Sequence, residues 1–181
     1  DVCSSDLKVF DRTHLARGGA IQSFETSCLI ENEWYEVRAD VLAEYADTTD
    51  IFNCNPALYY IEDFDGGSCP AIAIFEPNQN IITQILGYTT STYNSNGWNQ
   101  IYGVFKATAD IINKGTLDIV VARVPIMADL TIDNVVLSPA PSGAAGKTDC
   151  TASNLIFNSD AEIGDARSWF IRGHSPLSKI E

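Results

Sequence analysis

The side chains able to do chemistry in this sequence are mostly carboxylates. Asp and Glu number 24 against 11 Lys and Arg, and only two histidines, His14 and His174, are present. Nucleophilic catalysis of the serine or cysteine type needs a base beside the nucleophile, and zinc hydrolysis needs clustered His ligands. No Gly-x-Ser-x-Gly elbow, glycine-rich phosphate loop or His-Glu-x-x-His occurs. Paired carboxylates can cleave glycosidic bonds, but their separation is a property of the fold, and none here sits in a recognisable glycosidase motif. The expectation is a chain without catalytic activity of its own. The net charge of −13 repels phosphate backbones, so nucleic acid is not an expected partner. Such a surface suits neutral polymers and divalent cations.

The cysteines are the other reactive groups. Cys3 lies in Asp1-Val2-Cys3-Ser4-Ser5-Asp6-Leu7, which matches one translated frame of a sequencing adapter. Native sequence is therefore expected to begin at Lys8, in a fragment assembled from environmental DNA. Cys28, Cys54, Cys69 and Cys150 allow three pairings. Cys54 with Cys69 is preferred, because they are close in the chain and flank a segment with an Asp65-Gly66-Gly67 turn. Closing a loop of about 15 residues contributes roughly 3 kcal/mol. Cys28 and Cys150 either bond each other or bond parts of the protein outside this sequence. The competing reading is four reduced, buried thiols.

Strands must position these groups. Tyr35 to Val41 alternates apolar and polar residues, the period of a half-buried strand. Thr116–Val124, Leu130–Leu137 and Ile81–Tyr88 are β-branched and apolar, and Ala57–Phe64 with Ala71–Phe75 reads as a hairpin. Turn clusters such as Arg17-Gly18-Gly19 and Asn113-Lys114-Gly115 separate the runs, and no helix is expected. Short strands at this spacing predict an all-β antiparallel sandwich or jelly roll. No apolar run approaches the roughly 18 residues of a membrane span. Residues 1–137 are expected to form one module lacking its first strand. A Pro/Gly/Ala/Ser linker follows over 138–153, and 154–181 is the truncated start of a second, similar module.

Four segments resemble the jelly-roll carbohydrate-binding modules found beside xylanases and glucanases, in the galactose-binding-like superfamily. Leu7-Lys8-Val9-Phe10-Asp11-Arg12-Thr13 is similar to the family's L-x-V-x-N-R-T strand, and Asn32 to Leu42 matches its Y-x-V-x-A-x-V pattern at Tyr35, Val37, Ala39 and Val41. Trp98 to Phe105 resembles its W-x-x-L-x-G-x-F strand, and Asp129 to Val135 its D-F-Y-I-D-D-V strand, with Asn134 in place of the second Asp. The family's opening signature appears only after the linker, as Asn154-Leu155-Ile156-Phe157-Asn158-Ser159-Asp160-Ala161-Glu162-Ile163-Gly164 followed by Trp169, which implies tandem modules. Rotating 154–181 ahead of 8–137 nearly completes one domain.

The resemblance implies a non-catalytic, extracellular module, secreted or at the cell surface. It would hold a multi-module protein, for example one carrying a glycoside hydrolase, on a xylan- or β-glucan-like polysaccharide. The alternative is a structural or adhesive repeat that binds no sugar. A structural calcium would use Asp133 here and Glu162 in the neighbouring module. Sugar rings need flat aromatic faces and planar polar groups. With Tyr35, Val37, Ala39 and Val41 inward, period two sends Glu36, Arg38 and Asp40 to the other face, and Tyr102 outward with Val104 and Lys106. Arg38, Asp40 and Tyr102 are thus ligand candidates, with Tyr59, Gln84 and Tyr88 of unassigned parity. Asp40 stands where the family often has an aromatic residue. Trp98 is read as a core or rim anchor and Arg12 as part of a buried ion pair.

Overall fold

The computed structural model describes residues 7–9, 19–45, 50–54, 69–76, 82–88, 93–125, 127–140, 170–172 and 178–180. Ten strands follow in chain order: β1 Leu7–Val9, β2 Gly19–Glu25, β3 Trp34–Tyr45, β4 Ala71–Phe75, β5 Ile82–Tyr88, β6 Asn99–Lys106, β7 Thr116–Ala122, β8 Ala128–Pro139, β9 Phe170–Arg172 and β10 Ser178–Ile180. They pair in the order β10-β1-β8-β3-β6-β5-β4-β7-β2-β9, and every ladder is antiparallel.

This continuous order folds over on itself. Tyr35, Val37 and Val41 of β3, Phe105 of β6 and Leu130 and Ile132 of β8 share one core with Phe24 of β2, Ile72 and Ile74 of β4 and Ile119 and Val121 of β7. The two halves of the order therefore face each other as a sandwich, the architecture the strand pattern predicted. Among the described residues, the β5–β6 ladder that joins the two halves has the pairs Gly87↔Gly103 and Tyr88↔Tyr102. Aromatic contacts fill the interior. The Tyr35 and Phe105 rings stack with centroids 5.8 Å apart, and Phe52 meets Tyr93 and Tyr45 edge-on at 5.3 and 5.5 Å. Each buried hydroxyl found a partner: Tyr35 accepts from the Ile30 amide at 2.9 Å and Tyr93 from the Ala43 amide at 3.0 Å.

The expectation of a chain without helix needs correction. A short helix, α1 at Ala109–Asn113, precedes β7, and a 3₁₀ turn spans Thr26–Cys28. Thr108 caps α1 by accepting from the Ile111 amide, and Gly115 at φ 75° follows its end. Five residues are too few to show helical periodicity, so only the cap could have announced it. Ser138 and Pro139, at the start of the expected linker, belong to β8 and pair with Glu36 and Tyr35. Leu7 is buried and pairs with Ile132. Two strands within 154–181 pair at the ends of the order, β9 with β2 and β10 with β1.

Cys54 and Cys69 form a disulfide with Cα atoms 4.9 Å apart. Cys28 is disulfide-bonded as well, to a partner outside the described residues. The segment 57–64, half of the expected hairpin, also lies outside them; Ala71–Phe75 pairs with β5 and β7.

Candidate functional site

The outer face of β8, β3 and β6 carries the polar and aromatic groups. Along β6 exposure alternates strictly: Asn99, Ile101, Gly103 and Phe105 are buried, while Gln100, Tyr102, Val104 and Lys106 are exposed. On β3 the same parity puts Trp34, Glu36, Arg38 and Asp40 outside. Register then builds cross-strand rows. Val136, Arg38 and Tyr102 lie side by side, with Tyr88 of β5 next in register. One row away, Ser138, Glu36 and Val104 align; at the end of the face, Trp34 sits opposite Lys106. Tyr102 and Trp34 are each 46% exposed, unusually open for large rings. Four residues along β6 separate their rows, about 13 Å at strand rise.

The opposite end of the face is polar, and a backbone irregularity makes it so. The β3–β8 register shifts between Arg38 and Asp40, where Asn134 adopts φ 50°. Inward positions on β8 therefore step from Leu130 and Ile132 to Val135 and Leu137, leaving Asp133 and Asn134 both outside the core. The Asn134 side-chain amide donates to Asp40 at 2.9 Å and to Asp133 at 3.2 Å, while its backbone amide donates to Asp133 at 2.7 Å. Gln100 donates to the other oxygen of Asp40 at 3.4 Å. Two carboxylates and two amides thus form one hydrogen-bonded group beside the Arg38–Tyr102 row.

Trp98 stands at the rim, 42% exposed, directly before β6. The buried side chain of Asn99 fixes its loop. It donates to the carbonyls of Asn94 and Gly97 at 2.9 and 2.8 Å and accepts from the Asn94 amide at 2.7 Å.

Of the predicted ligand residues, Arg38, Asp40 and Tyr102 converge on this face. Tyr88 joins their row by register. Gln84 lies on the same strand as Tyr88 and pairs with Ile74 of β4. Tyr59, Glu162 and Arg12 lie outside the described residues. Among the described residues no group of three or more His, Cys, Asp or Glu side chains is assembled around Asp133 or elsewhere. Trp34 and Gln100 were missed as site residues. Parity could have found both: Trp34 shares that of Glu36, and Gln100 that of Tyr102. Asn134 depends on the bulge, which no local pattern announces.

Among the described residues, no helix is long and apolar enough to cross a membrane. No family model and no curated protein matches the sequence. Among solved structures, the chain is similar to the unliganded carbohydrate-binding module of PbXyn10C, with a TM-score of 0.51 and 15% identity, covering 98% of this chain and 86% of that one. It is also similar to the CBM22-1–GH10 modules of the N-terminal endo-1,4-β-D-xylanase 10B of Clostridium thermocellum, complexed with xylohexaose, at TM-score 0.44 and 12% identity over 79% of this chain and 23% of that one. The Stig cyclase Fisc from Fischerella sp. TAU is similar at TM-score 0.43 and 16% identity, over 74% and 63% of the respective chains. The likeness to the PbXyn10C module establishes the fold, a jelly-roll β-sandwich of the kind used by carbohydrate-binding modules.

Proposed function

We propose that the outer face of β8, β3 and β6 binds a neutral polysaccharide without cleaving it. The observation that carries this reading is the cross-strand row of Arg38 and exposed Tyr102, flanked by Trp34 on one side and by the Asp40–Asn134–Gln100 group on the other. Aromatic rings carry negative charge on their faces and attract the polarised C–H groups of a pyranose ring. Carboxylates, amides and a guanidinium supply the planar donors and acceptors that pair with sugar hydroxyls. The fold, shared with the PbXyn10C module, supports the same reading.

A xylan- or β-glucan-like chain is the ligand class proposed, because a linear polymer can lie along a flat sheet face that spans several residues. The module would hold the longer protein to which it belongs on that polymer, outside the cell. Disulfides at Cys54–Cys69 and at Cys28 support an oxidising compartment. Affinity electrophoresis through gels containing soluble xylan or β-glucan tests the proposal. Retardation that falls in Tyr102→Ala and Arg38→Ala supports it. Equal mobility of the native protein in gels with and without each polymer rejects it.

A further inference from the structure

The loop ahead of β6 holds a backbone amide able to attack the side chain before it. Asn96-Gly97 is the one Asn-Gly step in the sequence; every other asparagine is followed by a residue with a side chain. A glycine nitrogen is the least hindered of backbone amides and can approach the preceding side chain closely. Asn96 lies exposed in a turn, with its backbone amide donating to Asn94 Oδ1 at 3.2 Å. Among the described residues, neither the Asn96 side-chain amide nor the Gly97 N–H takes part in a hydrogen bond. Attack at this step therefore gives up no native contact.

We infer that Asn96 is a site of spontaneous deamidation that unlocks the loop carrying Trp98. Base removes the Gly97 amide proton, the nitrogen bonds to Asn96 Cγ, and the Cγ–Nδ2 bond breaks. The departing nitrogen takes up a proton and leaves as ammonia. Water then opens the cyclic imide: cleavage at the backbone carbonyl carbon gives isoaspartate, and cleavage at Cγ gives aspartate. Neither step changes an oxidation state. In isoaspartate the main chain runs through Cβ and Cγ, so it is one carbon longer between Asn94 and Gly97. The Asn99 amide is set for the shorter path. It donates to the Asn94 and Gly97 carbonyls at 2.9 and 2.8 Å and accepts from the Asn94 amide at 2.7 Å. With a carbon inserted between its partners, Asn99 cannot keep all three bonds, and Trp98, between Gly97 and Asn99, loses its support. The change belongs to the loop and is independent of what the neighbouring face binds.

Folded full-length protein is incubated in heavy-oxygen water at about pH 7 and about pH 9, then mapped by peptide mass spectrometry. Labelled deamidation at Asn96 should outrun that at every other asparagine at least tenfold. It should be at least tenfold faster at the higher pH, because only the deprotonated amide attacks. In the isolated isoaspartate form, the Asn94 amide should exchange with solvent at least tenfold faster than in fresh protein, while the β3–β6 ladder stays protected. Asn96→Asp, which adds the charge without the carbon, should keep the slow exchange, and Asn96→Gln should leave position 96 unmodified. No deamidation at Asn96, or faster deamidation elsewhere, overturns the inference. So does an Asn94 amide equally protected in the isoaspartate form, equally loosened in Asn96→Asp, or loosened together with the whole ladder. The mapping and the isoaspartate exchange use the native sequence alone, so they decide the matter even where a variant does not fold.

Discussion

Replacing Tyr102 by alanine removes the central ring of the proposed binding face while leaving the sandwich nearly untouched. An aromatic side chain presents 150–250 Å² when fully stripped of contacts. At 46% exposure, Tyr102 therefore offers about 90 Å² for a ligand to cover, worth about 2 kcal/mol at 25 cal/mol per Å². A sugar chain lying on one face covers about half of that, so the expected loss is about 1 kcal/mol, a roughly 5-fold weaker dissociation constant. Isothermal titration with xylo-oligosaccharides or β-gluco-oligosaccharides reads the change directly. Tyr102→Phe, which keeps the ring, should retain most of the affinity. The melting temperature should move little, because Tyr102 is half exposed and lies outside the core. Wild-type affinity in Tyr102→Ala, with the fold intact, refutes the assignment of this face.

Other perturbations test the frame beneath the site. Cys54→Ser/Cys69→Ser opens a loop of sequence separation 15 and should cost about 3 kcal/mol, lowering the melting temperature by roughly 6–12 °C in a scan without reductant. Tyr93→Phe leaves the buried Ala43 amide without its acceptor and should cost about 1–3 kcal/mol in a urea titration. Burial holds the Tyr93 phenol above its ordinary 10.0, against the opposing bond from Ala43. The unfolded chain therefore ionises first, so stability is full below pH 10.0 and declines as pH rises beyond it; Tyr93→Phe should flatten that alkaline decline in melting scans. Asn134→Gly keeps the positive-φ backbone and Asn134→Ala strains it by about 1–2 kcal/mol, so only the alanine chain should melt markedly earlier. Both should weaken sugar binding alike if the amide that joins Asp40 and Asp133 orders the site.

What could be read from the residues was whatever repeats with a short period. The alternation from Tyr35 to Val41 fixed which side chains of β3 face water, and the same rule oriented Tyr102. The Cys54–Cys69 pairing followed from closeness along the chain. Properties created by contact between distant segments were not legible. The slip opposite Arg38 and Asp40 exists only because β8 runs beside β3, and it turns Asp133 and Asn134 outward together. The strand partner of Gln84, Ile74 of β4, was equally invisible in the local pattern. The attachment of β9 and β10 is equally non-local: a resemblance to the opening of a module says nothing about which edges those residues meet.

The three bonds of the Asn99 amide also govern how a polymer could be received at the rim. Donating twice and accepting once, this amide holds Asn94, Gly97 and the approach to Trp98 in place before any guest arrives. No ordering entropy then has to be surrendered there on association, which favours slow release. The indole is thus carried on a backbone whose loop is already held, and a chain whose helical screw brings a ring edge, not a ring face, to that point would fit it less well. Discrimination among polymers would arise at Trp98 from shape, before any hydroxyl is inspected.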